Sequence, residues 1–289
     1  MQRKVRHILE SKPTLEGAGV KLKRVFGFRE VPMFDPFLLL DHFGSRNPED
    51  YIRGFPWHPH RGIETVTYML TGEVEHGDSI GNRGVIESGD VQWMTAGSGI
   101  IHQEMPRKYD GLMEGFQLWV NLPAARKMMG PRYRGITSEQ IPELEKEGVK
   151  IKVIAGKINN VKGPVQDLVV DVEYLHVEIQ PETEFNHETM KDSRVFAYVI
   201  EGTGYFDNRS IGAQHCVLFD DGESVRIRSK DKLNLLLVSG KPISEPVAWG
   251  GPIVMNTQNE LDKAFRELRE GTFIKHSRPV EPSTDFYKG

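Results

Sequence analysis

Apolar and polar residues alternate in short runs along most of the chain, and glycines cut the runs into strand-length pieces. Glu64–Leu70 is rich in β-branched and aromatic residues and stops at Thr71-Gly72, the pattern of a strand ending in a turn. Gly81-Asn82-Arg83-Gly84 reads as a hairpin loop, followed by Val85-Ile86 and a second turn at Ser88-Gly89-Asp90. Val91–Met94 and Gly115–Val120 are further strands. Between about 123 and 148 the alternation lapses, and Ala124–Met129 and Ser138–Glu147 predict short helical or irregular segments, limited by Pro142. Strand signals return from Lys150, at Ile151–Ile154, Asp167–Ile179, Arg194–Ile200 and Leu233–Val238. Turn signals spaced roughly 8–12 residues apart predict an all-β sandwich or barrel.

One helix stands out near the end. Thr257 and Glu260 have capping-box spacing, Leu261, Ala264, Phe265 and Leu268 recur at helical intervals, and Gly271 sits where a C-cap belongs. Its amphipathic face is expected to pack across a barrel. The segment Glu201-Gly-Thr-Gly204-Tyr-Phe is similar to Leu70-Thr-Gly72-Glu-Val, which points to a duplicated barrel. The expected division is an N-terminal barrel over 1–135, a connection with short helical segments over 136–150, and a C-terminal barrel plus helix over 151–289.

Composition narrows the function classes. The chain has 289 residues, 38% hydrophobic and 27% charged, an ordinary globular balance. Its formal charge of −4 lacks the basic surplus of a direct nucleic-acid binder. The basic residues Lys21, Lys23, Arg24 and Arg29 interleave with Leu22, Val25 and Phe26 and read as the solvated face of a strand. Cys216 is the only cysteine, so no internal disulfide forms, and its apolar neighbours mark it as a small buried hydrophobe. The longest apolar runs, Phe37–Leu40 and Leu235–Val238, fall far short of a membrane span. Met1–His7 has no apolar segment after its basic start, so a cytoplasmic location is expected.

The candidate chemistry lies in two couplets, His58-Pro59-His60 and His102-Gln103-Glu104. On a strand, residues i and i+2 share a face about 6–7 Å apart, so each couplet aims two metal-type donors at one side. If the two strands face one another, three imidazoles and a carboxylate converge. Such donors suit Fe(II), Ni, Co, Mn, Cu or Zn, while a closed structural zinc site usually uses thiolates, and none is near. Glu64 shares parity with His58 and His60 and competes with Glu104 as the carboxylate. Val66, Tyr68 and Leu70 follow Glu64 in phase, which predicts a dry, apolar cavity for a flat ligand. His76 and Asp78 read as turn or rim residues, and His42, His176, His187, His215 and His276 as structural or exposed.

These residues resemble a cupin, and specifically the pirin family. Gly54-Phe-Pro-Trp-His58-Pro-His60-Arg-Gly-Ile-Glu64 with Gly72 resembles the first cupin motif. The second is matched by Gly89 through Pro106, including Thr95-Ala-Gly97-Ser-Gly99-Ile-Ile-His102-Gln-Glu104-Met-Pro106. Asp35-Pro-Phe-Leu-Leu39, Gln117–Leu122 and Gly251–Asn256 match as well. The resemblance implies two cupin (jelly-roll-like) β-barrels with iron in the N-terminal one only. Its ligands are then His58, His60, His102 and Glu104, with Glu104 favoured over Glu64. It further implies quercetin 2,3-dioxygenase activity, in which a flavonol ring is opened with O2 and carbon monoxide leaves, Glu104 doubling as the base. The alternative it carries is a redox-sensing regulatory protein that acts on a protein partner without turnover. Aligning Gly202 with Gly72 sets Glu188 and Met190 opposite His58 and His60, so the second barrel is expected to be metal-free and structural.

Overall fold

The computed structural model describes residues 1–276. Among these residues strands dominate, with one α-helix and three short 3-10 turns, and no helix is long and apolar enough to cross a membrane. The strands up to residue 136 are β1 (Val5–Glu10), β2 (Lys12–Glu16), β3 (Val20–Phe26), β4 (Phe37–Ser45), β5 (Phe55–His60), β6 (Ile63–Thr71), β7 (Val74–Asp78), β8 (Arg83–Ile86), β9 (Val91–Thr95), β10 (Ile100–Pro106), β11 (Met113–Asn121) and β12 (Arg132–Ile136).

The chain divides into two compact units, neither contiguous in sequence. One unit comprises Pro13–Arg24, Leu38–Ser138 and the chain from Ser244; the other comprises Met1–Lys12, Val25–Phe37 and Glu139–Ile243. The division drawn at 135 and 150 from the sequence assigned both termini by chain order. The backbone assigns them to the opposite units.

In the first unit a seven-stranded sheet runs β12-β9-β6-β11-β4-β3-β2, and a four-stranded sheet runs β5-β10-β7-β8. β6 is buried from Ile63 through Met69, so its sequence is a near-continuous run of β-branched and apolar residues. β10 alternates instead, with Ile100, His102, Glu104 and Pro106 buried and the residues between them half-buried. Of the basic residues read as one solvated strand face, Lys21 is exposed on β3 and pairs with Asp50 at 2.8 Å. Lys23 and Arg24 are half-buried, with Arg24 spanning Glu16 and Asp41 at 2.8 and 2.7 Å, and Arg29 lies beyond the strand in a 3-10 turn.

The second unit repeats this architecture. Its seven-stranded sheet places β1 beside His215–Phe219, with Ile8 opposite Val217, and continues through Arg194–Glu201, Leu233–Gly240, Val172–Ile179, Val149–Ala155 and Glu143–Lys146. Its four-stranded sheet joins Glu184–Glu188, Ser224–Ser229, Thr203–Phe206 and Arg209–Gly212. Val153, Leu175, Val177, Val199, Leu235 and Leu237 head the apolar cluster that fills it. Arg3 is buried and donates to the carbonyls of Asp220 and Met190 at 2.8 and 2.7 Å, which fastens the chain start to this unit. Cys216 is fully buried there, as its neighbours predicted, and burial pushes its thiol pKa up.

Two local expectations change. Glu143–Lys146 is a strand rather than a helix, because Pro142 bars a helix interior while Glu147 and Gly148, both at positive φ, turn the chain into a hairpin with Val149–Ala155. Asp167–Asp171 lies outside the strand, which begins at Val172. The C-terminal helix α1 (Gln258–Arg269) forms with its capping box at Thr257 and Glu260, and Gly271 follows at φ 71° just beyond the C-cap Glu270.

Candidate metal centre

β5 and β10 are antiparallel neighbours, with His58 opposite His102 and His60 opposite Ile100. Period-2 alternation then does what the couplets required, turning His58, His60 and His102 to one side. One ring nitrogen from each lies within 4.8 Å of the others. His58 Nδ1 faces the Pro56 carbonyl at 2.9 Å and His60 Nδ1 faces the Pro252 carbonyl at 3.1 Å. A carbonyl only accepts, so both Nδ1 atoms carry a hydrogen, and in the neutral rings both Nε2 atoms present lone pairs. Those two Nε2 atoms sit 3.1 Å apart, lone pair to lone pair. His102 is fully buried, and neither of its ring nitrogens meets a partner.

Converging acceptors with no hydrogen between them need a cation, and a divalent metal on imidazole nitrogens fits. The electrostatics agree. Burial, and then the neighbouring His58, hold the His60 pKa well below the imidazole range; His102 is depressed by burial and by His60, His58 and His76. Neutral imidazole is the ligating form.

Glu104 shares the His102 face of β10 and lies opposite His76 on β7. Its carboxylate accepts from Thr67 Oγ1 at 2.7 Å and from Gln117 Nε2 at 3.1 and 3.3 Å. The compact donor cluster itself consists of the three imidazoles.

Glu64 goes elsewhere. Its oxygens accept from Trp93 Nε1 at 3.1 Å and Thr95 Oγ1 at 2.5 Å. Glu64 and Thr67 stand on opposite faces of β6, and Thr67 is the one that reaches Glu104. Parity counted from His60 fails because the strand ends there. Gly62 turns at φ 79°, and a Cβ at that position would come within 1.9 Å of the Val254 carbonyl.

The apolar lining expected from Val66, Tyr68 and Leu70 is corrected by the same break. The face of β6 toward the histidines carries Thr65, Thr67 and Met69, matched by register to Trp119 and Gln117 on β11 and to Met94 and Gln92 on β9. Trp119 meets the His60 ring edge-on at 5.1 Å. Asp78 is the buried last residue of β7, and its carboxylate caps the turn that follows by accepting from the Ile80 and Asn82 amides. His76 is not at a rim. It is buried, 5.6 Å from the His102 ring and stacked on Tyr133 at 5.0 Å. Sequence reasoning missed Thr67, Gln117, Trp119, Tyr133 and Pro252; the period-2 pattern of β6 and β11 held the signal for the first three, once the break at Gly62 is known.

The other histidines take local partners: His42 with Glu114 at 2.9 Å, His176 with Asn234 at 2.6 Å, and His215 with the Ala213 carbonyl at 2.9 Å. In the second unit Glu188 is exposed and Met190 is 54% exposed, so neither occupies an inward position. The inward residues of that strand are Phe185 and His187, and His187 is bonded to Glu173 at 2.7 Å. Among the described residues the three-histidine cluster lies in the first unit.

The pirin family model matches residues 19–120, and the model of the pirin C-terminal cupin domain matches residues 174–274. A pirin-like protein of Caulobacter vibrioides is 44% identical over 273 residues, covering 94% of this chain and 99% of the relative. Pirin-1 of Arabidopsis thaliana is 42% identical over 262 residues, covering 88% of each. A crystal structure of quercetin 2,3-dioxygenase from Acinetobacter baumannii superposes with a TM-score of 0.89 at 30% identity, covering 94% of this chain and 99% of that one. With two cupin barrels, a histidine cluster in the first and family models matched in both halves, the chain belongs to the pirin family.

Proposed function

We propose that this protein is a metal-dependent dioxygenase of the quercetin 2,3-dioxygenase type, opening a flavonol ring with O2 at the His58–His60–His102 cluster. The observation that carries the reading is the convergence of three imidazoles, two of them buried, with the His58 and His60 Nε2 atoms 3.1 Å apart and both His102 ring nitrogens without a hydrogen-bond partner. The likeness to the Acinetobacter baumannii dioxygenase supports the substrate class.

In this reading His58 and His60 donate through Nε2, His102 through one ring nitrogen, and Glu104 is the fourth donor. Iron(II) is the proposed metal, and nickel, cobalt, manganese, copper and zinc suit the same donors. When bound, it supplies Lewis-acid polarisation and a template for substrate and O2. Glu104 accepts the proton of the flavonol 3-hydroxyl, and Thr67 and Gln117 keep its carboxylate turned toward that task. The Pro56 and Pro252 carbonyls hold two imidazoles in the ligating tautomer. Over the whole reaction both atoms of O2 enter the opened product and one ring carbon leaves as carbon monoxide.

The test is metal analysis of freshly purified protein followed by an oxygen-electrode assay with quercetin and detection of carbon monoxide. Oxygen uptake matched by carbon monoxide is expected. Metal retention and flavonol binding without uptake would replace this reading by the regulatory one.

A further inference from the structure

His60 owes its tautomer to a residue 192 positions further along the chain, Pro252, whose carbonyl meets Nδ1 at 3.1 Å. That carbonyl belongs to a segment from Ser244 to Phe273 within the first unit. The segment lies against the residues that follow His60: Arg61 forms a parallel bridge with Ile253, and the Val254 amide donates to the Arg61 carbonyl at 3.0 Å.

Two buried basic side chains fasten it, Lys127 with its pKa lowered by burial to about 7. Lys127 is 1% exposed, and its Nζ donates to Asn121 Oδ1 at 2.6 Å, the Gly62 carbonyl at 2.8 Å and the Val254 carbonyl at 3.1 Å. An ammonium has three hydrogens and no acceptor, so these three contacts satisfy it and tie the chain after His60 to the chain after Pro252. Glu245 accepts from the Ala124 amide at 2.6 Å, gripping the same segment from the turn that carries Lys127. Arg61 adds a second fastening, pairing with Glu267 of α1 at 2.8 Å and donating to the Phe273 carbonyl at 2.8 Å.

We infer that the segment Ser244–Phe273 is a strap that sets which nitrogen of His60 faces the metal position, and that Lys127 is the positioning residue that holds it there. Groups that orient a ligating histidine govern metal affinity almost as the ligands do. Lys127 touches no ligand. It fixes the carbonyl that fixes the ligand. The inference rests on His60 serving as a donor in the proposed function.

The experiment uses the full chain and two replacements. Lys127→Met keeps the length of the side chain and removes every donor; Lys127→Gln keeps two. Nickel(II) affinity is read by competition with a chromophoric chelator, at a temperature where circular dichroism shows each variant folded. The His60 Nδ1–H resonance is read in metal-free protein by 15N-resolved NMR. Lys127→Met should bind nickel about tenfold more weakly and lose the protected resonance, with Lys127→Gln recovering part of both. A folded Lys127→Met with wild-type affinity and an intact resonance overturns the inference. If Lys127→Met does not fold, Glu267→Gln loosens the strap at its other fastening and should speed exchange of the same resonance; unchanged exchange overturns it too. A wild-type chain that binds no nickel would defeat the metal reading, while the metal-free resonance still decides the strap.

Discussion

Thr67 Oγ1 donates to Glu104 Oε1 at 2.7 Å, linking β6 of one sheet to β10 of the other across the interior of the first unit. The bond leaves the carboxylate beside the histidines but limits how it can turn. Thr67→Val preserves shape and deletes the donor. A hydrogen bond to a charged group is worth about 1.5–3 kcal/mol. Carried into turnover, that is a loss on the order of tenfold or more in oxygen uptake. Metal content should fall less than in a histidine variant, because the three imidazoles are untouched; metal analysis beside the oxygen electrode separates the two effects.

His58→Ala removes one of the three converging imidazoles. Both metal content and flavonol-dependent oxygen uptake should vanish, with the fold intact by circular dichroism. Oxygen consumption that survives the substitution would show that the chemistry lies elsewhere.

Acid should weaken the metal-free protein in a defined direction. His60 and His102 are held well below the usual imidazole pKa of 6.5 by burial and by their neighbours. Unfolding releases them to titrate near 6.5, so below that pH the unfolded chain binds more protons than the folded one. Stability of chelator-treated protein therefore falls as pH drops below about 6.5 toward the folded-state values. The melting temperature between pH 7 and 5 should drop less steeply in His102→Leu, and an equal slope would assign the protons to other groups.

The second unit should contribute no ligand. Its interior is apolar, and its inward histidine, His187, is already engaged by Glu173. Chelator-released metal should reach one equivalent per chain at most, and His187→Ala should leave that figure unchanged. Leu237→Ala, by contrast, opens a hole in the apolar cluster and should cost about 2–5 kcal/mol in denaturant unfolding.

The histidine couplets were legible because strand alternation is local: His58 and His60 need only their own strand to share a face. The all-β class and the capped helix were legible for the same reason. Glu64 misled because parity crosses Gly62, where the chain leaves one sheet and enters another, and no counting within a single segment reveals that. The lining of the interior was misread with it, Thr67 and Gln117 replacing Val66 and Tyr68. Pro252 and Lys127 were out of reach for a different reason, since their roles exist only once segments far apart in the sequence meet. The same holds for β1, whose partner strand, His215–Phe219, comes more than two hundred residues later.

That exchange of ends has a consequence for the order of events on the ribosome. β1 is made long before its partner strand, so the edge it completes does not exist until residue 219 has been synthesised. The carbonyl that orients His60 arrives later still, at residue 252. A nascent chain carrying both histidine couplets thus lacks the group that aligns one of them, so secure metal capture is expected only after residue 252 has been synthesised.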